Sequence, residues 1–476
     1  MNKIFKSLKE KCTKENKLIL LFIILFFIFV FINLIINRIN IKNNEQITED
    51  LYAITENSKE NISKISDEQE INIYLFGYSE NDFIWVFAKK YEELNKKIKV
   101  ELKNISENEE LINEYHIEEG DILITSGEKY KLYKDSDLYS YDYNNGDIIN
   151  LTEQRLTNGI CEISSAQEKE VIYILKGNEK YLVENELSLL KRYLELEKYE
   201  IKEITLSSDD MPEELKTLII SSPNNDFSDE ETNKIKEYIN NGGNILWLQD
   251  AYFEEKEFNN INSILEIYGL EKFNSGIILE QEKNNIIIQN PYLILPEKNE
   301  SENNMLNMPS KVMFYYSSKI NFANDEKLNE LNVTKTELLS TSEKALYKTD
   351  LSSDTMTKRE NDEEGKFIVG ALLNKKIDEE KNSKIIIFAN NYFVTNEKVT
   401  IGKEEIPVVE LYNNKELILN SLDYLTNNEN DLKIQKLMPR NYYIGIEEDN
   451  IRQAIIIEMV IFVLLIRNGN IYKKNK

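Results

Sequence analysis

The run Leu18–Ile36, LILLFIILFFIFVFINLII, constrains this chain more than any other stretch, because it holds no charged residue and only Asn33 interrupts its apolar character. At 1.5 Å per residue a helix over it covers about 28 Å, close to the hydrocarbon thickness of a bilayer. A secretory signal is the competing reading, but its apolar core normally spans about 7–15 residues and ends at small residues suited to cleavage. Here the run passes into Asn37, Arg38, Ile39 and Asn40, and Cys12 precedes it where a lipid-modified cysteine would have to follow. A retained anchor is therefore favoured. Lys3, Lys6, Lys9, Lys11, Lys14 and Lys17 stand before it, against Arg38, Lys42, Glu45, Glu49 and Asp50 after it, so the positive-inside rule places the N-terminus in the cytoplasm and the remainder outside.

A length of 476 residues allows two or three domains with ample core. The formal net charge is −26, with 84 acidic and 58 basic residues. That balance repels nucleic acid and anionic lipid surfaces as main partners. Cys12 and Cys161 fall on opposite sides of the expected membrane, so no disulfide framework is available within the chain. With His116 as the only histidine and no CxxC pair, a metal site of imidazole or thiolate ligands is not expected, and no cofactor is called for.

The order of elements predicts an α/β protein with residues 1–17 as a cytoplasmic N-terminus, 18–37 as a transmembrane helix and 38–70 as a stalk. In the stalk Ile47, Leu51, Ile54, Ile62 and Ile65 recur at helical spacing. Over 71–150, INIYLFG reads as a buried strand and DFIWVFAKKYEELNKK as a helix. IKVELKNIS is then a second strand, NEELINEY a short helix, and GDILITSG with EKYKLYK a hairpin across Gly127. This order resembles a thioredoxin-like domain, with Gly77, Tyr78 and Ser79 standing where that family carries its redox CxxC. Tyr139, Tyr141 and Tyr143 alternate as on one face of a strand. Such a stripe is either an aromatic platform for a flat ligand or ordinary sheet packing, and packing is the commoner case.

Residues 151–430 read as a larger domain of repeated strand and helix units, which predicts a doubly wound parallel sheet. VIYILKG is a strand, and YLVENELSLLKRYLELE predicts a helix with Val183, Leu187, Leu190 and Leu194 on one face. YEIKEITL and TLIISSP follow as strands. Ser228 and Glu231 have the spacing of a capping box, and Gly242 with Gly243 supplies a helix stop before the strand NILWLQD. KFIVGALLNK and SKIIIFANN return to strand, and KELILNSLDYLTNN closes the domain as an amphipathic helix. Residues 431–450 form a linker, 451–466 a second transmembrane helix around AIIIEMVIFVLLI, with a buried or interfacial helix as the alternative for so short a run, and 467–476 a basic cytoplasmic tail. Glu458 inside that helix and Asn33 inside the first would face other helices rather than lipid.

The segments LTEQRLTNGICEIS, VIYILKGNEK and TLIISSPNNDFSDEETNKIKEYINNGGNILWLQD resemble the extracellular part of the gliding-motility-associated auxiliary ABC transporter proteins, the GldG-like group. The likeness runs more loosely through LLSTSEKALY and SKIIIFANNYF. Two departures stand out: Lys176–Glu179 lacks that family's histidine, and Gln249, Asp250, Ala251 replaces its proline-ended strand. The resemblance implies an amidotransferase-like ectodomain and an accessory, non-catalytic subunit of a transport system whose permease and ATPase are separate chains. No phosphate-binding G-x-x-x-x-G-K-[ST] loop occurs in this one. The transported substrate is not implied.

Active amidotransferases place a cysteine on a sharp strand-to-helix turn with a histidine nearby. Cys161 precedes the first strand of the larger domain and His116 belongs to the preceding one, so catalysis is not expected. A ligand of an open parallel sheet lies outside the carboxyl ends of its strands. Those ends give Gly177, Asn178, Glu179, Asn224, Gln249, Asp250 and Asn390 as rim candidates, with ordinary turn residues as the alternative. A membrane-anchored hydrolase and a structural envelope scaffold are the competing functions.

Overall fold

The computed structural model of the chain describes residues 52–426, apart from 66–69, 143–146, 165–169, 198, 300–308, 310 and 352–356, together with 436–437. Both apolar runs, with Asn33 and Glu458, the two basic terminal segments and Tyr143 lie outside the described residues. Among the described residues no helix is long and apolar enough to cross a membrane. The chain divides into two units, Met1–Ala53 with Lys436–Lys476, and Ile54–Gln435, and every element named below belongs to the second.

That unit begins with α1 (Glu56–Ser63), whose N-cap Thr55 accepts from the backbone of Ser58. Then come β1 (Ile71–Phe76), α2 (Phe83–Leu94), β2 (Ile98–Lys103), α3 (Glu109–Tyr115), β3 (Ile122–Ser126) and β4 (Lys129–Tyr133). Their sheet has the order β2-β1-β3-β4, with β1 and β2 parallel and the other pairs antiparallel. The β3–β4 turn falls at Gly127, whose φ of 61° is the left-handed conformation a side chain would resist. Ile84, Phe87, Ala88 and Tyr91 are the buried residues of α2, at the spacing of one helical face.

The hairpin of β5 (Tyr139–Asp142) and β6 (Asp147–Asn150) leads into α4 (Thr152–Ser164), the helix formed by TEQRLTNGICEIS. Every residue from Thr152 to Ile160 is buried, since α4 packs on β3, β4 and α1 together. Glu153 Oε1 takes three donors at 2.7 Å from Thr55 N, Thr55 Oγ1 and Ser58 Oγ, which fastens α1 to α4. At Gly159 a Cβ would stand 2.8 Å from the Tyr133 ring and 2.9 Å from Ile124, so only glycine lets the helix come this close.

The main sheet has eight strands in the order β14-β16-β19-β20-β10-β9-β7-β8. They are β7 (Glu170–Leu175), β8 (Tyr199–Ile204), β9 (Thr217–Ser221), β10 (Asn244–Leu248), β14 (Glu297–Lys298), β16 (Val333–Ser340), β19 (Ile368–Lys376) and β20 (Asn382–Phe388). The five strands β8, β7, β9, β10 and β20 run parallel, and β19, β16 and β14 join antiparallel at one side. The sheet is thus mixed α/β with a parallel core, and the strand order reverses between β7 and β9. All five residues of β9 are buried, as are Ile245–Leu248 of β10 and Ile385–Phe388 of β20. Strands covered on both faces need such unbroken apolar runs, and each fully buried Leu or Ile contributes about 1.5–3 kcal/mol.

Around the sheet lie α5 (Ser188–Leu196), α6 (Asp229–Asn240), α7 (Asn259–Leu265), α8 (Asp325–Glu330) and α9 (Asn414–Thr426). The Ser228–Glu231 capping box forms in both directions, at 2.8 and 3.2 Å. Helix α5 is shorter than the periodicity predicts. It starts at Ser188, because residues before it turn back through Leu187 N to Leu182 O at 3.1 Å, yet Val183 and Leu187 still reach the core. Short strands fill the long crossover before β20: β11 (Ile277–Leu279), β12 (Ile286–Ile287), β13 (Asn290–Ile294), β15 (Phe314–Tyr315), β17 (Leu346–Lys348) and β18 (Glu363–Glu364). The hairpin β21 (Lys398–Ile401) and β22 (Glu404–Pro407) precedes α9.

Candidate functional site

Parallel strands bring their carboxyl ends to one edge of a sheet, and where the strand order reverses the loops diverge and leave room. Here that edge collects the turns after β7, β9, β10 and β20. All seven rim residues named from the sequence lie on these turns.

Asp250, two residues past β10, is the centre of the arrangement. Its Oδ2 accepts Lys180 Nζ and Tyr181 OH, both at 2.7 Å, and its Oδ1 accepts Asn391 N at 2.7 Å and Tyr392 N at 3.1 Å. Asp250 N donates to Ser222 Oγ at 2.7 Å. The Asp250 carboxylate therefore ties its own turn to those after β7 and β20, and its backbone N–H adds the turn after β9. Burial and the Asp250 charge, in that order, hold the Tyr181 phenol far above its ordinary pKa. Tyr392 is raised by burial and by the carboxylates of Glu397 and Asp250.

The other candidates are engaged in similar ways. Gly177 has a φ of 115° and its N–H donates to the Glu179 carboxylate. Asn178 accepts Asn224 N at 2.7 Å, and its side-chain amide reaches Glu231 Oε1 at 3.2 Å. Glu179 bridges Pro223. Gln249 accepts Trp247 Nε1 at 3.2 Å and donates to the Asp250 carbonyl at 3.1 Å. Asn390 donates to Tyr315 O at 2.6 Å and accepts Phe393 N at 3.0 Å. Ser222 directly follows β9 with a φ of 44°, a conformation costly for a side-chain-bearing residue. Asn391 donates to Ser221 Oγ at 2.7 Å, while its buried Oδ1 has no partner among the described residues.

The rim residues lie beside a ladder of rings that sequence reasoning missed. Phe253 and Tyr292 each meet Tyr316, at centroid distances of 5.6 and 5.2 Å, Tyr315 meets Tyr316 at 4.0 Å, and Tyr392 meets Tyr315 at 5.2 Å. These rings come from four places in the chain, so no periodicity signals them. The doublet Tyr315–Tyr316 and the Tyr252–Phe253 pair just past a buried strand are the only local hints. Lys180, whose Nζ lies 4.7 Å from the centroid of the Tyr181 ring, was missed as well.

The two residues considered for thiol chemistry sit on separate elements, Cys161 within α4 and His116 at the left-handed C-cap of α3. Among the described residues no group of three His, Cys, Asp or Glu is placed to hold a metal ion. A groove of about 680 Å³ opens at the opposite, amino-terminal edge of the sheet, lined by Met211, Pro212, Leu215, Tyr238, Asn244 and Leu425 among others. A smaller one of about 180 Å³ lies by the β5–β6 hairpin, with Tyr139, Tyr141, Tyr193 and Tyr412 on its walls.

Among solved structures, the chain is similar to the mmIFT52 N-terminal domain, at 15% identity and a TM-score of 0.38 over 55% of this chain and 100% of that one. A putative ThuA-like protein from Bacteroides uniformis aligns at 15% identity and 0.33, over 56% and 94%. The exo-β-1,4-mannosidase Op5Man5 from an Opitutaceae bacterium aligns at 10% identity and 0.25, over 72% and 46%. Scores this low carry no inference about chemistry. No curated protein matches. The family of ABC-type uncharacterized transport system proteins matches residues 169–421, from the strand β7 to the middle of α9. That match takes in the parallel core, its carboxyl edge and more than half of the 476 residues, and the chain belongs to this auxiliary ABC transport-system family.

Proposed function

We infer that the protein is a non-catalytic accessory subunit of an ABC-type transport system, working beside a permease and an ATPase encoded as separate chains. Membership of the auxiliary family carries this reading. On it, residues 18–37 and 451–466 cross the cell membrane, both termini are cytoplasmic, and the acidic domain between them is extracytoplasmic, held through a stalk over 38–70 whose helix α1 already packs against α4. The region 71–150 is a thioredoxin-like spacer without redox chemistry, and 151–430 an amidotransferase-like domain. The strand orders β2-β1-β3-β4 and β8-β7-β9-β10-β20 support those two assignments.

The carboxyl edge of the main sheet, with Gly177, Asn178, Glu179, Asn224, Gln249, Asp250 and Asn390, is then a place of contact rather than of turnover. The full use of Asp250 as an acceptor of four donors supports this, since a general base needs a lone pair free for substrate. Affinity purification from native membranes, with identification of the captured chains, tests the reading. Permease and ATPase subunits are expected with the protein, and a chain that purifies alone overturns it. Reporter fusions at the C-terminus test the topology, and an external tail overturns the paired spans.

A further inference from the structure

We propose that the ring ladder at the carboxyl edge of the main sheet is a docking surface for a cationic, arginine- or lysine-bearing loop of a partner protein in the transport assembly. This rests on the accessory role inferred above and names the contact surface.

Phe253 is 55% exposed, and Tyr292, Tyr315, Tyr316 and Tyr392 are partly exposed, with Phe253, Tyr292 and Tyr315 all meeting Tyr316 and Tyr392 meeting Tyr315. Contiguous aromatic rings left at a surface are the residue types that anchor protein interfaces. The charge around them selects the partner. Glu254, Glu255 and Glu257 follow Phe253 and are exposed, with Lys256 as their only nearby counter-charge in sequence. After burial, the carboxylates of Glu397 and Asp250 raise Tyr392, and those of Asp226 and Asp250 raise Tyr252, so both phenols sit in a negative field.

A ring face beside a carboxylate attracts a cation twice, through the π system and through the charge. The edge already holds one ammonium group in this manner: Lys180 Nζ lies 4.7 Å from the Tyr181 ring centroid and 2.7 Å from Asp250 Oδ2. An anionic ligand would meet Glu254, Glu257 and Glu397 instead. A chain of net charge −26 steers cationic surfaces toward itself over the same range.

The test uses the full chain, affinity-tagged and purified in mild detergent from native membranes, with Phe253→Ala and the double variant Glu254→Lys, Glu257→Lys compared to wild type. All three substituted residues are exposed, so thermal unfolding should match wild type and serves as the control for folding. The expected result is that identified transport subunits co-purify with wild type and fall at least tenfold in both variants. Capture by wild type should also decline as NaCl rises. Equal capture by all three proteins overturns the surface proposal while leaving the accessory role intact, whereas absence of transport subunits from wild type overturns both. Loss of a wild-type dimer in the variants, with unchanged capture, assigns the rings to self-association and overturns the proposal.

Discussion

Asp250 carries much of the edge, because its Oδ2 takes two donors from the turn after β7 and its Oδ1 two from the turn after β20. Replacing it by Asn puts an NH₂ group against N–H or O–H donors that it cannot accept. Asp250→Asn is expected to cost about 2–4 kcal/mol, read as a lower urea midpoint with unchanged slope. The buried tyrosines make a second residue-scale prediction. Tyr91, Tyr181, Tyr193 and Tyr238 are all raised from their ordinary value, burial being the first cause in each. The unfolded chain releases these protons near pH ~10 and the folded chain holds them longer, so the folded state binds more protons above that point. Their contribution is complete below pH ~10 and is lost as pH rises further, by up to about 1.4 kcal/mol per unit for each group. Alkaline unfolding followed together with tyrosinate absorbance should show ionisation of these tyrosines coinciding with loss of structure. Independent titration of the folded protein near pH 10 would contradict the assignment.

At the scale of elements, α4 joins parts that the sequence separates. Its Glu153 takes three donors from the start of α1, and its Gly159 lies against β3 and β4. Glu153→Ala should cost roughly 3 kcal/mol, and amide exchange over 56–63 should accelerate while β9 and β10 stay protected. Gly159→Val should cost about 1–3 kcal/mol by overpacking, measured by thermal melts. Much at this scale was legible beforehand. The buried strands announced themselves by apolar runs such as TLIIS and NILWL, and the capping box and Gly127 turn by residue types whose local chemistry is strong. The start of α5 was not legible, because Val183 and Leu187 keep helical spacing while packing from a turn. The rim residues were legible as strand ends, whereas the rings beside them were not. Phe253, Tyr292, Tyr316 and Tyr392 meet only after the crossover has folded, and tertiary contacts between distant segments leave no local period to read.

For the molecule as a whole, the family match places the chain among auxiliary proteins of ABC-type transport systems, and Cys161 lies within α4 while His116 caps α3. Cys161→Ala should leave the melting temperature and the capture of transport subunits within error of wild type; loss of capture without loss of stability would point to a role for the thiol. One feature of the main sheet bears on how the protein is made. Strand β10 pairs with β9 on one side and β20 on the other, and the contact of Lys384 N with Asn244 Oδ1 spans 140 residues of chain. During synthesis the outer edge of β10, whose Ile245–Leu248 are all buried in the finished sheet, therefore waits for the whole crossover to emerge before its partner exists. Pairings of such long range close slowly and leave sticky edges bare in the meantime. A nascent chain stopped before Asn382 is expected to aggregate or remain bound to a holdase, and one extended past α9 to be released.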